Sequence, residues 1–336
     1  MRPGPRNLIT DIPGLGVGNA EDHAAWSGTT VLLPQSPVVA SCDIRGGGPG
    51  VRETALLDPE NTVERIDALV LSGGSAFGLA AADGVMQGLA RRGRGFELRG
   101  FRVPIVPAAI LFDLANGGDK GWAEPPFRAL GLAALDAAGP DFALGNAGAG
   151  LGAKAGTLKG GLGSASAFDA AGRGVGALVA VNSMGGVVMP GSRAFWAWPF
   201  EIDGEFGGAR PDGYRGPPPA DLPAHLMPAD SAPSNTTIAI VATNLGLTKA
   251  ECRRLAVMAQ DGLARAIRPV HTPLDGDVVF AVATGERPLS GMGELALVGA
   301  MAADCLARAV ARGVYAATGL GRYPGYRQWC QEGNVS

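Results

Sequence analysis

A proline-rich stretch over residues 203–235 divides this sequence, and a strand-forming run begins directly after it. The stretch contains seven prolines and few apolar residues. In a compact protein, so long a segment without regular structure is usually a functional loop or a linker. Residues 237–244, which follow, are apolar and rich in β-branched side chains, and this favours a buried strand with Thr236 at its mouth. The fold must therefore place a core strand immediately after a long irregular segment.

Strand and helix patterns occupy the rest of the chain. They predict strands at 28–33, 37–42, 67–72, 237–244 and 278–283, a hairpin of 174–181 with 185–189, and helices at 76–91, 249–267 and 292–311. Thr248 and Glu251 have the spacing of a capping box at the start of the second helix. Several strands are apolar on both faces, as strands covered on both sides are. We expect one layered α/β (α+β) domain over residues 1–336, not a bundle or a barrel.

Composition limits the class of protein. With a net charge of −3 and 6% aromatic residues, the chain has no basic face for nucleic acid. The 53 glycines fall in short clusters without a triplet period, which excludes a collagen-like chain. The four cysteines lack CxxC spacing, and we expect reduced thiols. No apolar run approaches the roughly 18 residues of a membrane span, and no signal-peptide pattern opens the sequence, so a cytoplasmic location without a membrane partner is expected.

Thr236 is the leading candidate for a catalytic residue. A hydroxyl side chain can cut the peptide bond before its own residue, here the bond to Asn235. The new N-terminal residue then carries both a nucleophile, its Oγ, and a base, its α-amine. The α-amine has a reference pKa of about 8, and the long segment before it would tolerate a cut. Thr237 is the second candidate, and the alternative is that both threonines simply begin a strand.

Asp275 and Asp277 flank a glycine on a turn before an apolar strand. Two carboxylates in this position can bind a cation or orient an ammonium group, although Asp and Gly also form turns without any further role. No cluster of His and Cys and no EF-hand spacing accompanies them. Neither a metal nor any other cofactor is therefore predicted.

Two glycine-rich segments, 145–152 and 159–166, superficially match the GxGxxG dinucleotide pattern. No convincing strand precedes them and no helical period follows, which disfavours a Rossmann site. A glycine-rich wall that lets the backbone approach a substrate fits better, with Gly148 in the wall and Lys159 as its cation. Ser75 lies at a strand-to-helix turn but misses the GxSxG pattern by one place, so a substrate-binding helix N-terminus is favoured over a serine triad.

In this order, the segments resemble those of the self-processing aminopeptidases and amidases, the family of DmpA, the β-peptidyl aminopeptidases and the nylon-oligomer hydrolase NylC. The resemblance rests on residues 9–14, 45–53, 71–78, 103–107, 145–166, 179–182 and 235–237. It implies a four-layer αββα sandwich, as in N-terminal-nucleophile hydrolases and ornithine acetyltransferases. It also implies self-cleavage into residues 1–235 and 236–336, with 203–235 as the linker before the cut. A threonine after an asparagine resembles the NylC branch most.

The resemblance also implies roles for single residues. Asn182 matches the family's oxyanion asparagine, and Asp275 and Asp277 match two aspartates of the NylC branch that hold the ammonium. Lys159 matches a catalytic-site lysine of that branch across a gap. Phe112 stands in the substrate site where many members carry a tyrosine, so a hydroxyl near the nucleophile is missing.

The expected activity is amide hydrolysis through an acyl-enzyme on Thr236. Its substrates would have a free amino end: short peptides, amino-acid amides, or β- or ω-amino acyl oligomers such as 6-aminohexanoate oligomers. Two other functions fit the same features, an acyltransferase of the ornithine-acetyltransferase type and a catalytically weak binding homologue. The resemblance further implies that the two fragments stay partners and form a homo-oligomer, a tetramer of the two-chain unit.

Overall fold

The computed structural model describes residues 1–212 and 235–332. Its strands are β1 (Leu15–Asp22), β2 (Ser27–Pro34), β3 (Val38–Ile44), β4 (Gly50–Arg52), β5 (Arg65–Ile66), β6 (Leu69–Ser72), β7 (Phe96–Leu98), β8 (Phe101–Val103), β9 (Ala108–Ile110), β10 (Lys154–Ala155), β11 (Leu158–Lys159), β12 (Gly161–Phe168), β13 (Gly174–Asn182), β14 (Thr236–Gly246) and β15 (Val278–Pro288). Its α-helices are α1 (Ala81–Arg91), α2 (Phe127–Asp136), α3 (Lys249–Ala266), α4 (Met292–Ala316) and α5 (Tyr326–Gln331).

Two sheets stack face to face, and a pair of helices covers the outer face of each. The five-stranded sheet has the order β1-β2-β6-β9-β4, and the six-stranded sheet has the order β12-β13-β14-β15-β3-β5. Helices α1 and α2 share one buried apolar cluster with the first sheet, and α3 and α4 share another with the second. A third cluster fills the space between the sheets. The αββα sandwich implied by the resemblance is therefore confirmed.

Strand β14 shows why the central strands are apolar throughout. Side chains alternate across a strand, and both faces of this one are covered. Ile238 and Ile240 belong to the cluster between the sheets, whereas Ala239 and Val241 belong to the cluster under α3 and α4. The strand runs antiparallel to β13 and parallel to β15. Its first residue thus lies at the edge of a rigid, fully packed layer.

The predicted hairpin of 174–181 with 185–189 is wrong. Strand β13 pairs with β12 on one side and β14 on the other, so neither of its edges is available to the segment that follows it. Within that segment, Val188 makes an isolated bridge to Phe195, and Gly186 makes another to Arg268. The chain leaves the sheet after Asn182 instead of turning back along it.

The second glycine-rich segment contains a strand, β12, which the sequence did not indicate. Its glycines let α4 lie directly against the sheet: a Cβ added at Gly163 would lie 1.9 Å from the carbonyl oxygen of Ala309. The helix predicted at 76–91 also differs, because its first turns form a 3-10 helix over Ser75–Ala80 before α1 begins. Small residues obscured both patterns, since they carry little periodic signal.

Other predicted elements are confirmed. Helix α3 begins with the expected capping box, in which the Thr248 hydroxyl accepts the N–H of Glu251. The four cysteines are free thiols. No helix within residues 1–212 and 235–332 is long and apolar enough to cross a membrane. Most of the predicted linker, residues 213–234, lies outside the described residues, and residues 203–212 contain no strand or helix.

Candidate active site

Sheet register brings Thr236 and Asn182 together. Strand β14 begins at Thr236 and β13 ends at Asn182, and in the antiparallel ladder these two residues are direct partners. Both are buried, with exposed fractions of 4% for Thr236 and 1% for Asn182. The predicted nucleophile and the predicted oxyanion donor are far apart in sequence, but the sheet places them side by side.

The peptide bond before Thr236 is held against the turn that carries the two aspartates. Asn235 forms a parallel bridge with Asp275, and its carbonyl oxygen accepts the N–H of Gly276 at 3.0 Å. The Thr236 hydroxyl donates to the same oxygen at 2.5 Å. Gly276 packs tightly here, because a Cβ added to it would lie 2.8 Å from Thr236 Oγ1. The carbonyl group that self-cleavage would attack therefore contacts both the attacking hydroxyl and a backbone donor.

Asp277 fixes the start of β14. Its Oδ1 accepts the N–H of Thr237 at 2.8 Å, and its Oδ2 accepts the backbone N–H of His271 at 3.1 Å. The His271 ring atom Nδ1 lies 2.8 Å from the same Oδ2. The carboxylate is 1% exposed, so these donors replace water around its charge.

Asp275 faces the other side of the turn. Its Oδ1 accepts the N–H of Met184 at 3.2 Å, and its Oδ2 accepts the N–H and the hydroxyl of Thr272 at 3.0 and 2.6 Å. Burial raises the pKa of Asp275, and the Asp277 carboxylate raises it further, whereas the hydrogen bonds from Thr272 and Met184 oppose the shift. Two carboxylates this close favour a positive charge between them.

Lys154 is a functional candidate that sequence analysis missed. Its backbone N–H donates to Asn182 Oδ1 at 3.1 Å, which orients the amide so that Nδ2 donates to the Phe112 carbonyl at 3.0 Å. Burial lowers the pKa of Lys154, Arg322 lowers it further, and the negative charge of Asp275 raises it. The charge of Lys154 therefore acts on the site, and Phe112 contributes its backbone whatever its side chain.

Lys159, the lysine predicted for the site, is bound by backbone carbonyls of its own glycine-rich loop. Its ammonium donates to the carbonyl oxygens of Gly150 and Gly160 at 2.9 and 3.0 Å, and 1% of the residue is exposed. Burial lowers its pKa to about 7, and the charge of Asp113 opposes that shift. These contacts join the two ends of the loop that carries Lys154, so Lys159 has the position of a loop support.

Asp113, the residue after Phe112, organises a second buried polar cluster beside the site. Its Oδ2 accepts the Ser27 hydroxyl and its Oδ1 accepts the Gly74 N–H, both at 2.7 Å. Burial raises its pKa, while these hydrogen bonds and the charge of Lys120 lower it. The cluster therefore connects the five-stranded sheet to the segment of Phe112, whose carbonyl accepts the Asn182 amide.

The two remaining substrate-site predictions fall in packing positions. Ser75, with φ of 51°, donates its N–H to the Leu111 carbonyl at 2.9 Å where the 3-10 helix before α1 begins. Gly148 lies against β2, where an added Cβ would be 2.1 Å from Thr30 Oγ1. Both residues hold elements of the five-stranded sheet in place, and their substrate contacts stay predictions.

The arrangement offers a hydroxyl group, a side-chain amide, two carboxylates and a lysine around one peptide bond. Within the described ranges, no group of three or more His, Cys, Asp or Glu side chains is placed to hold a metal ion. A cut before Thr236 would add an α-amine one residue before the N–H that Asp277 accepts. These are the groups that acyl transfer from an amide requires.

Similar proteins share this fold along almost the whole chain. The family model of peptidase family S58 matches residues 7–327. An uncharacterized aminopeptidase of Mycobacterium tuberculosis is 47% identical, over 96% of this chain and 97% of its own length. A 6-aminohexanoate-oligomer endohydrolase of Kocuria sp. is 30% identical, over 91% of this chain and 86% of its own.

Solved structures give the same fold. A β-aminopeptidase from Burkholderia sp. matches with a TM-score of 0.72 at 22% identity, covering 98% of this chain and 94% of that one. The L-aminopeptidase D-Ala-esterase/amidase of Ochrobactrum anthropi, a variant of the Ntn hydrolase fold, matches with a TM-score of 0.68 at 21% identity, covering 100% and 96%. Together with the family match, these likenesses identify the chain as a member of peptidase family S58, an enzyme that hydrolyses peptide or amide bonds.

Proposed function

We propose that this enzyme is a self-processing N-terminal-threonine amide hydrolase. It cleaves itself between Asn235 and Thr236 and then acts on substrates through an acyl-enzyme on Thr236. The observation that carries the proposal is the position of the Asn235 carbonyl, which accepts hydrogen bonds from both Thr236 Oγ1 and the Gly276 N–H. An amide carbonyl in this position is already polarised beside its nucleophile.

Self-cleavage proceeds as an acyl shift from nitrogen to oxygen. Thr236 Oγ attacks the carbonyl carbon of Asn235, and the Gly276 N–H stabilises the oxyanion that forms. The hydroxyl proton passes to the amide nitrogen as the C–N bond breaks, which leaves Asn235 esterified to Thr236. Water then hydrolyses the ester and releases a carboxylate at Asn235 and an α-amine at Thr236. One oxyanion donor of this kind contributes about 2.7–4 kcal/mol to the transition state.

Substrate hydrolysis uses the groups that the cut completes. The α-amine of Thr236 takes the proton from Oγ as the substrate carbonyl is attacked, and it passes that proton to the leaving amine as the C–N bond breaks. Water then hydrolyses the ester on Oγ and releases the acid. Asp275 and Asp277 stabilise the ammonium formed on Thr236. Asp277 also accepts the N–H of Thr237, the next residue of β14. One hydrogen of Asn182 Nδ2 is directed at the Phe112 carbonyl, and the other remains for the substrate oxyanion. Lys154 offsets the negative charge of the carboxylate pair.

The proposed substrates have a free amino end. They are short peptides, amino-acid amides, or β- or ω-amino acyl oligomers such as 6-aminohexanoate oligomers. The names of the M. tuberculosis and Kocuria relatives support this range, since one is an aminopeptidase and the other an oligomer endohydrolase. A panel of amino-acid amides, β-peptides and 6-aminohexanoate oligomers ranks them by kcat/KM.

Trapping the acyl-enzyme tests the proposal. Wild type quenched during turnover should carry one acyl group on the fragment that begins at Thr236, as measured by mass. Thr236→Ser should still form the adduct, whereas Thr236→Ala should neither form it nor turn over substrate. An adduct on another residue, or turnover by Thr236→Ala, would refute the assignment. Preferential transfer of the acyl group to an added amine would instead favour an acyltransferase.

A further inference from the structure

His271 presents two donors to one buried carboxylate oxygen. Its backbone N–H donates to Asp277 Oδ2 at 3.1 Å, and its ring Nδ1 lies 2.8 Å from the same atom. The opposite oxygen of Asp277 accepts the N–H of Thr237. The carboxylate thus spans the space between the imidazole and the residue directly after the nucleophile.

The backbone of His271 is held in an unusual conformation. Its φ is 56°, in the left-handed region, which is uncommon for residues with a side chain although asparagine, aspartate and histidine adopt it several times more often than the rest. Such a conformation persists where the surrounding structure imposes it, most often at functional sites. Here it turns the ring and the N–H of one residue onto the same oxygen of Asp277.

The contribution of the ring is confined to Nδ1. The other ring nitrogen, Nε2, is buried and has no hydrogen-bond partner in the part of the chain that the structure describes. A neutral imidazole has one donor and one acceptor nitrogen, so the Nδ1–H tautomer is the one that suits Asp277. An amide group that places N–H at the Nδ1 position would reproduce the contact without the rest of the ring.

We propose that His271 is a positioning residue that acts through Asp277. Its Nδ1–H and its backbone N–H fix the carboxylate, the carboxylate fixes the N–H of Thr237, and this sets the Thr236 hydroxyl on its target carbonyl. This inference rests on the proposed role of Thr236 as the nucleophile. It predicts that the orientation of one carboxylate, supplied from a neighbouring turn, controls both self-cleavage and turnover.

Three substitutions separate the donor from the strain. His271→Asn keeps an N–H at the Nδ1 position and tolerates positive φ. His271→Gly tolerates positive φ but has no side-chain donor. His271→Gln places its amide at the position of Nε2, which has no hydrogen-bond partner among the described residues. We expect His271→Asn to retain self-cleavage and kcat within about 3-fold, and the other two to lose about 10- to 100-fold in both, with KM changing less. The exposed His23, as His23→Asn, is the matched control and should be unaffected.

A readout that does not need activity completes the test. In a Thr236→Ala background, hydrogen exchange of the peptide containing Thr237 should become faster with His271→Gly but not with His271→Asn. Wild-type rates and exchange in His271→Gly, or equal losses in the Asn and Gly variants with the fold intact, would overturn the inference. The failure of the proposed function is a separate result, since it appears as catalysis without Thr236 and does not depend on residue 271.

Discussion

At the scale of single residues, Gly276 has the most demanding position in the site. Its N–H reaches the Asn235 carbonyl, and its Cα lies so close to the nucleophile that any side chain collides with it. An added Cβ would be 2.8 Å from Thr236 Oγ1 and 2.5 Å from the Gly48 carbonyl oxygen, and the latter is backbone that cannot rotate away.

Gly276→Ala should therefore slow self-cleavage by about 100-fold or more, because it displaces the hydroxyl from its target. A time course on denaturing gels measures the rate. Gly293→Ala is the control, since an added Cβ at Gly293 meets nothing within 4 Å. Cleavage of Gly276→Ala at the wild-type rate would show that the contact with Thr236 is not what positions the nucleophile.

Lys159 gives the enzyme a pH-dependent stability. Its folded pKa, about 7, lies below its ordinary value of 10.5. Between these values the unfolded chain holds a proton that the folded chain lacks, so this residue makes stability rise with pH by about 1.4 kcal/mol per unit. Below about pH 7 both forms are charged, and the full cost of burying the ammonium is present.

Lys159→Met should remove that slope. Urea unfolding from pH 7 to pH 10, compared in an uncleaved Thr236→Ala background so that one chain unfolds, measures it. At the alkaline end the substituted chain should be the less stable of the two, because the carbonyls of Gly150 and Gly160 lose their donor, at about 1–3 kcal/mol each. Near pH 7 this loss is offset by relief from burying the ammonium. Parallel stability profiles for the two chains would contradict the lowered pKa.

Thr236, Asp275 and Asp277 could be proposed from the sequence because they stand at the ends of apolar strands, whereas Asn182 was proposed only from the family resemblance. The sequence did not distinguish Lys154 from Lys159, since two lysines in one glycine-rich segment have no periodicity to rank them. The role of Gly276 depends on a backbone N–H, which no sequence pattern marks. The role of His271 depends on its positive φ angle, which only the folded structure shows.

At the scale of elements, the six-stranded sheet brings the residues of the site together. Antiparallel pairing places the end of β13 at the start of β14, and parallel pairing places the turn before β15 beside both. The αββα order followed from the resemblance, but the strand neighbours did not. Glycine and alanine in β12 concealed that strand, so β13 was assigned the wrong partner.

The small residues of β12 are required by α4, and this can be tested at Gly163. A Cβ there would lie 1.9 Å from the Ala309 carbonyl oxygen and 2.8 Å from the Gly313 nitrogen, both backbone atoms of the helix. Gly163→Ala should therefore destabilise the fold by about 1–3 kcal/mol through overpacking. Thermal unfolding measures it against Gly139→Ala, where an added Cβ is in open space. Equal stability of the two variants would mean that α4 can move away freely.

At the scale of the whole molecule, cleavage would leave the sandwich intact. The fragment from residue 236 onward supplies β14 and β15, and these lie between β13 and β3 of the other fragment. The buried ion pair of Arg308 with Glu205, at 2.5 Å, also joins the two fragments. Breaking one bond at the end of β14 removes none of these contacts.

The fragments should consequently elute together in native gel filtration and separate only in denaturant. Arg308→Met removes the nearer of the two arginines that pair with the buried Glu205 carboxylate and leaves only Arg312, at 3.4 Å. It should therefore lower the denaturant concentration at which the fragments separate. If the wild-type fragments dissociated in native buffer, the shared sheet would not be what holds them together.

Self-cleavage before Thr236 is the central claim, and intact mass with N-terminal sequencing of the purified protein tests it most directly. We predict two polypeptides, residues 1–235 and 236–336, with the smaller beginning Thr-Thr-Ile, and a single uncleaved chain for Thr236→Ala. A single wild-type chain of 34.0 kDa that persists through prolonged incubation, or a smaller fragment that begins at Thr237, would contradict it.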